Sequence, residues 1–185
     1  MIADLMKESE DRMGKAVESL REDLMGLRTG RASPALVERL RVEYYGTPTP
    51  LNQMAAISAP EPRLLVIRPW DPSSIGDIEK ALLKSDLGLT PNSDGVVIRL
   101  PIPRLTEERR RDLSKLVGRR VEEGHIAVRN IRRDQQEELR DYEKEKLITE
   151  DDFHRGRDRL QEIHDKYVEI MDDIGRAKQQ EIMEV

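Results

Sequence analysis

Arg129-Asn130-Ile131-Arg132-Arg133 is the stretch of this 185-residue chain best equipped for chemistry. Guanidinium groups are planar, permanently charged and able to make forked contacts, so they are the preferred side chains for gripping several phosphates. Asn130 adds a donor and an acceptor suited to a sugar or a base edge. At 100° per residue, Val117, Val128, Ile131 and Gln135 mark one helical stripe, and Arg111, Lys115, Arg129, Arg133 and Arg140 fall opposite it. Arg132 lies at the stripe's edge, so the arginines are expected to fan out on both sides of a buried Ile131. From the residues alone two readings stand. The arginines could pair with Asp134, Glu137 and Glu138 one turn on, or they could be held for a polyanion. The acids lie mostly C-terminal to the fan, whereas Arg109, Arg110, Arg111, Lys115, Arg119 and Arg120 extend the basic stretch on the other side.

No catalytic centre is legible. The three histidines, His125, His154 and His164, have no metal-ligand partner at i+3 or i+4, and no glycine-rich phosphate loop or His-Glu-x-x-His run occurs. With no cysteine, disulfides, thiolate metal sites and cysteine nucleophiles are excluded. The acid pairs Glu122-Glu123 and Asp151-Asp152 read as solvated or capping residues of charged helices. The expectation is a protein without catalytic residues, bound metal or cofactor.

Charge is segregated. The chain carries a net −5 at pH 7, yet residues 104–133 hold ten basic side chains against five acidic, and residues 134–185 hold nine against seventeen. A basic zone can therefore recruit phosphate despite the acidic total. Aromatics make up only 3% of the residues, which disfavours an RNA surface built on base stacking. No apolar run approaches the ~18 residues of a membrane span, and the N-terminus lacks a signal-peptide core. A cytoplasmic protein with no membrane partner is expected.

The elements that position these residues follow from periodicity. Apolar groups from Ile2 to Leu27 recur at helical spacing up to Gly30. A second helix is predicted from the capping Thr106, through Leu113, Val117, Val128 and Leu139, to Tyr142. A third follows Thr149, with Phe153, Leu160, Ile163, Tyr167, Ile170 and Ile174 at near-heptad spacing. None of the three can bury its stripe alone, which predicts a three-helix bundle of residues 1–30 and 104–185. Residues 31–103 differ: they hold all ten prolines, with β-type runs at 41–45, 54–58, 64–68 and 96–102 and one helix after Asp71-Pro72. This predicts an inserted β/α/β unit cored by Val42, Ile57, Leu65, Ile67, Leu82 and Val97. The fold class is α+β. The two crossings, at Gly30-Arg31 and Pro103-Arg104, are candidate hinges.

Five segments in order resemble the ribosome recycling factor family: Gly26–Leu36, Val42–Leu51, Ile78–Leu82 with Ser85–Leu89, Leu105–Arg110 and Val128–Asp134. The resemblance covers essentially the whole chain. It implies an elongated, L-shaped, monomeric molecule. Such a molecule would bind the post-termination ribosome in the intersubunit tRNA space, with its bundle on large-subunit ribosomal RNA. With elongation factor G and GTP it would split the subunits and release mRNA and tRNA, its inserted domain facing that factor. Carried over residue by residue, Arg129, Arg132 and Arg133 would contact RNA, with Arg28, Arg31 and Arg110 as subsidiary contacts. Gly118 and Gly124-His125 depart from the longer or charged side chains usual there and predict a loosened second helix. A charged coiled-coil scaffold is the competing reading; it leaves the inserted unit and the basic half without a purpose. A DNA-binding protein is disfavoured, because long bundle helices dock poorly in a major groove.

Overall fold

The computed structural model describes residues 1–184, and packing divides them into two compact units. Met1–Leu27 with Arg111–Glu184 forms one, and Arg28–Arg110 forms the other.

The first unit is a three-helix bundle of α1 (Ile2–Met25), α3 (Glu107–Lys144) and α4 (Glu150–Met183); α2 (Ile75–Lys84) lies in the insert. The apolar stripes meet in a core of Leu5, Met13, Val17, Leu20 and Leu24 from α1, Leu113, Val117, Val128 and Leu139 from α3, and Phe153, Leu160, Ile163, Met171 and Ile182 from α4. Burying a leucine or isoleucine of this kind contributes about 1.5–3 kcal/mol. α1 ends at Met25, short of the apolar periodicity that continues to Leu27, because Gly26 is a poor helix former and the chain turns away there. α3 and α4 start as their sequences predict. Thr106 Oγ1 accepts from the Arg109 amide at 3.1 Å. Thr149 and Asp152 form a reciprocal capping box, at 3.1 and 3.2 Å. The Thr149 hydroxyl, followed by the Thr149 amide, holds the Asp152 carboxyl below its ordinary range.

Gly124 of α3 and Gly175 of α4 are packing devices. A Cβ at Gly124 would sit 2.9 Å from Met171 Sδ, and one at Gly175 would sit 2.6 Å from Val121 Cγ2. The two helices thus approach closely at both points, which overturns the expectation that Gly124 merely loosens α3. Gly124→Ala and Gly175→Ala should therefore differ. Alanine gains up to about 1 kcal/mol of helix propensity over glycine. The flexible Met171 can yield to a new methyl, so Gly124→Ala should be close to neutral. Val121 is β-branched and stiff, and overpacking costs roughly 1–3 kcal/mol, so Gly175→Ala should destabilise. Urea unfolding of the two variants checks the difference.

The second unit begins with a hairpin, β1 (Arg41–Tyr44) and β2 (Thr47–Pro50), turned by Tyr45 and Gly46 at positive φ of 49° and 77°. Positive φ at both central residues is the signature of the type I′ turn that suits two-residue hairpins. β2 escaped the sequence reading because it contains two prolines. In register, Pro48 and Pro50 oppose Glu43 and Arg41, the pairs that exchange no ladder hydrogen bonds, so their missing N–H groups cost nothing. A four-stranded antiparallel sheet follows in the order β3 (Ala55–Glu61), β4 (Leu64–Pro69), β6 (Ile98–Pro101) and β5 (Asn92–Ser93), with α2 (Ile75–Lys84) between β4 and β5 in sequence. β3 runs past the predicted Ser58 through an irregularity in register between Ser58 and Glu61 that accommodates Pro60. β6 starts later than predicted, since Asp94 Oδ1 takes the amides of Val96 and Val97 at 3.0 Å each. The core comprises Val42, Leu51, Leu65, Ile67, Ile78, Leu82, Ile98 and Leu100, all without exposure; Ile57 is only half-buried against it.

Candidate nucleic-acid interface

Arg129, Asn130, Ile131, Arg132 and Arg133 lie on one continuous helix, ordered by the buried residues Val128, Gln135 and Leu139. Gln135 is the polar member of that stripe. In the orientation that satisfies its amide, its nitrogen donates to the Leu5 carbonyl at 3.2 Å and its oxygen accepts from Arg12 at 3.2 Å. This bond set registers α1 against α3 and explains a glutamine in an apolar stripe.

The fan differs from its predicted arrangement. Ile131 is half-buried rather than fully buried, and the arginines do not straddle it. They gather on the flank of α3 that faces α4. Arg132 is half-buried and donates through Nη1 to Gln161 Oε1 on α4 at 2.9 Å. Arg129 and Arg133 project further out and are exposed. The reason is geometric: the stripe centres on Val128 and Gln135, which sets Arg132, four residues from Val128, at its α4 edge.

The ion pairs with the acids that follow the fan do not form. Among the described residues, no ion pair joins Arg129, Arg132 or Arg133 to Asp134, Glu137 or Glu138. Asp134 instead pairs with Arg12 of α1 at 3.1 Å. Glu138 accepts from the Tyr142 hydroxyl, which with burial pushes the Tyr142 pKa up to about 12. Arg133 donates to the neutral Asn130 Oδ1 at 3.3 Å. Arg129 reaches only Glu122, at the 4.0 Å limit of an ion pair. Such exposed, distant pairs contribute at most about 1 kcal/mol and are easily exchanged for phosphate. Glu122 also lies 3.4 Å from His125 Nδ1, and His125 Nε2 lies 2.8 Å from Asp172 on α4. His125 is therefore a tie between α3 and α4. Among the described residues no group of three His, Cys, Asp or Glu side chains could hold a metal ion.

The remaining candidates lie in the second unit. Arg28 donates to the Leu87 carbonyl and serves as a half-buried internal anchor. Arg31 is exposed and Arg110 half-buried. The candidate hinge residues are held at defined points. Gly30 is buried at φ 82°, a backbone conformation that favours glycine. Just beyond it, the Ala32 amide donates to the Pro62 carbonyl at 2.7 Å, and before Pro103 the Ile102 amide donates to the Arg63 carbonyl at 2.8 Å. Both pins lie on the same β3–β4 turn inside the second unit, which leaves Pro103 and Arg104 beyond the second pin, while the units divide at 27–28 and 110–111. Sequence reasoning missed Gln161, His164 and Asp165 on α4, because that helix displays an ordinary mixture of charges.

A sequence profile described as ribosome recycling factor matches residues 20–183. The ribosome-recycling factor of Carboxydothermus hydrogenoformans is 53% identical, and that of Roseiflexus sp. 56%, each over 185 residues and the full length of both chains. A solution structure of a ribosome recycling factor superposes with a TM-score of 0.78 at 44% identity, covering 100% of this chain and 98% of that one. The Thermus thermophilus ribosome recycling factor, placed with Escherichia coli elongation factor G on the E. coli post-termination complex, gives a TM-score of 0.68 at 44% identity, with 98% of each chain covered. No helix of the described residues is long and apolar enough to cross a membrane.

Proposed function

Because the chain belongs to the ribosome recycling factor family, a family of non-enzymatic translation factors, we propose that it binds the post-termination ribosome in the intersubunit tRNA space. With elongation factor G and GTP it promotes dissociation of the subunits and release of mRNA and tRNA, in the cytoplasm and as a monomer. GTP hydrolysis belongs to the partner. The bundle seats on large-subunit ribosomal RNA through Arg129, Arg132 and Arg133, assisted by Asn130, with Arg31 and Arg110 of the second unit subsidiary; Arg28, which is bonded to the Leu87 carbonyl, is an internal anchor instead of an RNA contact. The insert, residues 31–103, faces elongation factor G and moves on the crossings at Gly30-Arg31 and Pro103-Arg104.

The observation that carries this reading is the disposition of the acids around the fan. Asp134 is held by Arg12 on another helix, Arg132 and Arg133 are held by neutral amides, and Arg129 is only loosely paired. Three guanidinium groups therefore keep their charge for an external anion, as phosphate recognition requires.

If several phosphates are neutralised, log K for ribosome binding falls linearly and steeply with log salt. Arg129→Gln or Arg133→Gln should make that slope shallower by roughly one, the loss of a single phosphate contact. Co-sedimentation with ribosomes across a salt series measures it. A slope indifferent to salt would favour a protein surface as the partner, as in a coiled-coil scaffold.

A further inference from the structure

We infer that Gln161 of α4 is a positioning residue for Arg132, holding its guanidinium ready for phosphate without neutralising it. The inference rests on the reading of Arg132 as an RNA contact and adds an unassigned helix to the site.

The geometry is a short relay across the α3–α4 seam. Arg132 Nη1 donates to Gln161 Oε1 at 2.9 Å. Gln161 Nε2 donates to Asp165 Oδ1 at 2.7 Å, and His164 Nδ1 lies 2.9 Å from the same oxygen. An ionised carboxylate only accepts, so Asp165 must face the amide nitrogen and turns Gln161 Oε1 toward Arg132. By the same logic the Nδ1 of His164 carries its proton, which also rules it out as an acceptor for Gln161 Nε2, 3.5 Å away. Hydrogen bonds from His164, then from Gln161, with the nearby Arg132 charge adding to them, hold the Asp165 carboxyl below its ordinary range, so it remains the acceptor that fixes this orientation.

The choice of an amide matters. A carboxylate at position 161 would grip the guanidinium more tightly but would cancel the charge that phosphate needs. A neutral oxygen occupies one of the five guanidinium N–H groups and leaves the net charge intact. An arginine held in this way has already lost much of the rotamer freedom that a phosphate would otherwise have to freeze.

Leucine and glutamate at position 161 separate positioning from simple structural support. Gln161 is exposed, so neither substitution should disturb folding much. Gln161→Leu should weaken ribosome binding about 2- to 12-fold, the cost of immobilising one long side chain. Its salt slope should stay unchanged, because no charge is lost. Gln161→Glu gains an ion pair with Arg132 but loses its bond to Asp165 and faces that carboxylate at i,i+4, so the melting temperature should stay within a few degrees of the parent's, while binding weakens and the salt slope becomes shallower by roughly one. In an Arg132→Gln background, Gln161→Leu should have no further effect. Parental affinity in Gln161→Leu, undiminished binding by Gln161→Glu, or an equal loss in both backgrounds would each overturn the assignment. If Arg132→Gln itself binds like the parent, it is the RNA reading of Arg132 that fails, a distinguishable result.

Discussion

Arg132→Glu is expected to weaken ribosome binding by more than any other single change on the bundle surface. Hydrogen bonds to charged groups contribute about 1.5–3 kcal/mol each. Since 1.4 kcal/mol is tenfold in affinity, losing one predicts a roughly 10- to 150-fold weaker complex. Charge reversal adds repulsion toward the same phosphate, and toward Asp165, which faces this side of α4. The fold should tolerate the change. Arg132 touches α4 through one hydrogen bond to an exposed glutamine and contributes nothing to the core of Val128, Leu139 and Leu160. Helicity and melting temperature should therefore stay close to the parent's. Binding isotherms paired with circular-dichroism melts provide the check; equal affinity would remove Arg132 from the interface.

Excising residues 31–103 and joining Gly30 to Arg104 with a short Gly/Ser linker should abolish subunit splitting while ribosome binding survives. The bundle supplies its own core, from Leu5 on α1 to Ile182 on α4, and the insert supplies an independent one around Ile67, Ile78 and Leu100. Two such units can come apart with little cost to either. The excised bundle keeps every arginine of the fan, so it should compete with the whole protein for ribosomes. In light-scattering assays with elongation factor G and GTP it should act as an inhibitor. Splitting at the parental rate would show that the bundle alone does the work, and the crossings at Gly30-Arg31 and Pro103-Arg104 would then be plain connections.

The helices were legible because they are long and their apolar residues recur with a steady period. Short-range backbone chemistry was legible where it followed a rule, as with Thr106 and Thr149 as caps. What escaped the sequence had physical causes. β2 hid behind Pro48 and Pro50, which are tolerated only because a two-stranded hairpin leaves their N–H positions unused. The end of α1 was overestimated because Leu27 continues the apolar period after Gly26 has already released the helix. The roles of Gly124 and Gly175 needed the distance to Met171 and Val121, which no single helix contains. The same holds for the site. The arginine fan could be read from one segment, but the partners that decide its charge state, Arg12 for Asp134 and Gln161 for Arg132, lie 122 and 29 residues away. Pairing with the following acids was one of the two readings the residues left open; packing instead ties Asp134 to Arg12, and Glu138 turns to Tyr142 within α3.

The central claim is that the flank of α3 bearing Arg129 and Arg133 lies against ribosomal RNA. With no native cysteine, a single introduced thiol can carry an iron chelate to one chosen position. Exposed Glu137, one turn beyond Arg133, would report on the fan, and Asp173, lining the groove between α1 and α4, would serve as the distant control. Hydroxyl-radical cleavage of large-subunit RNA is expected from position 137 and much less from position 173, on ribosomes carrying the tethered protein. No cleavage from position 137, or equal cleavage from both, would contradict the account.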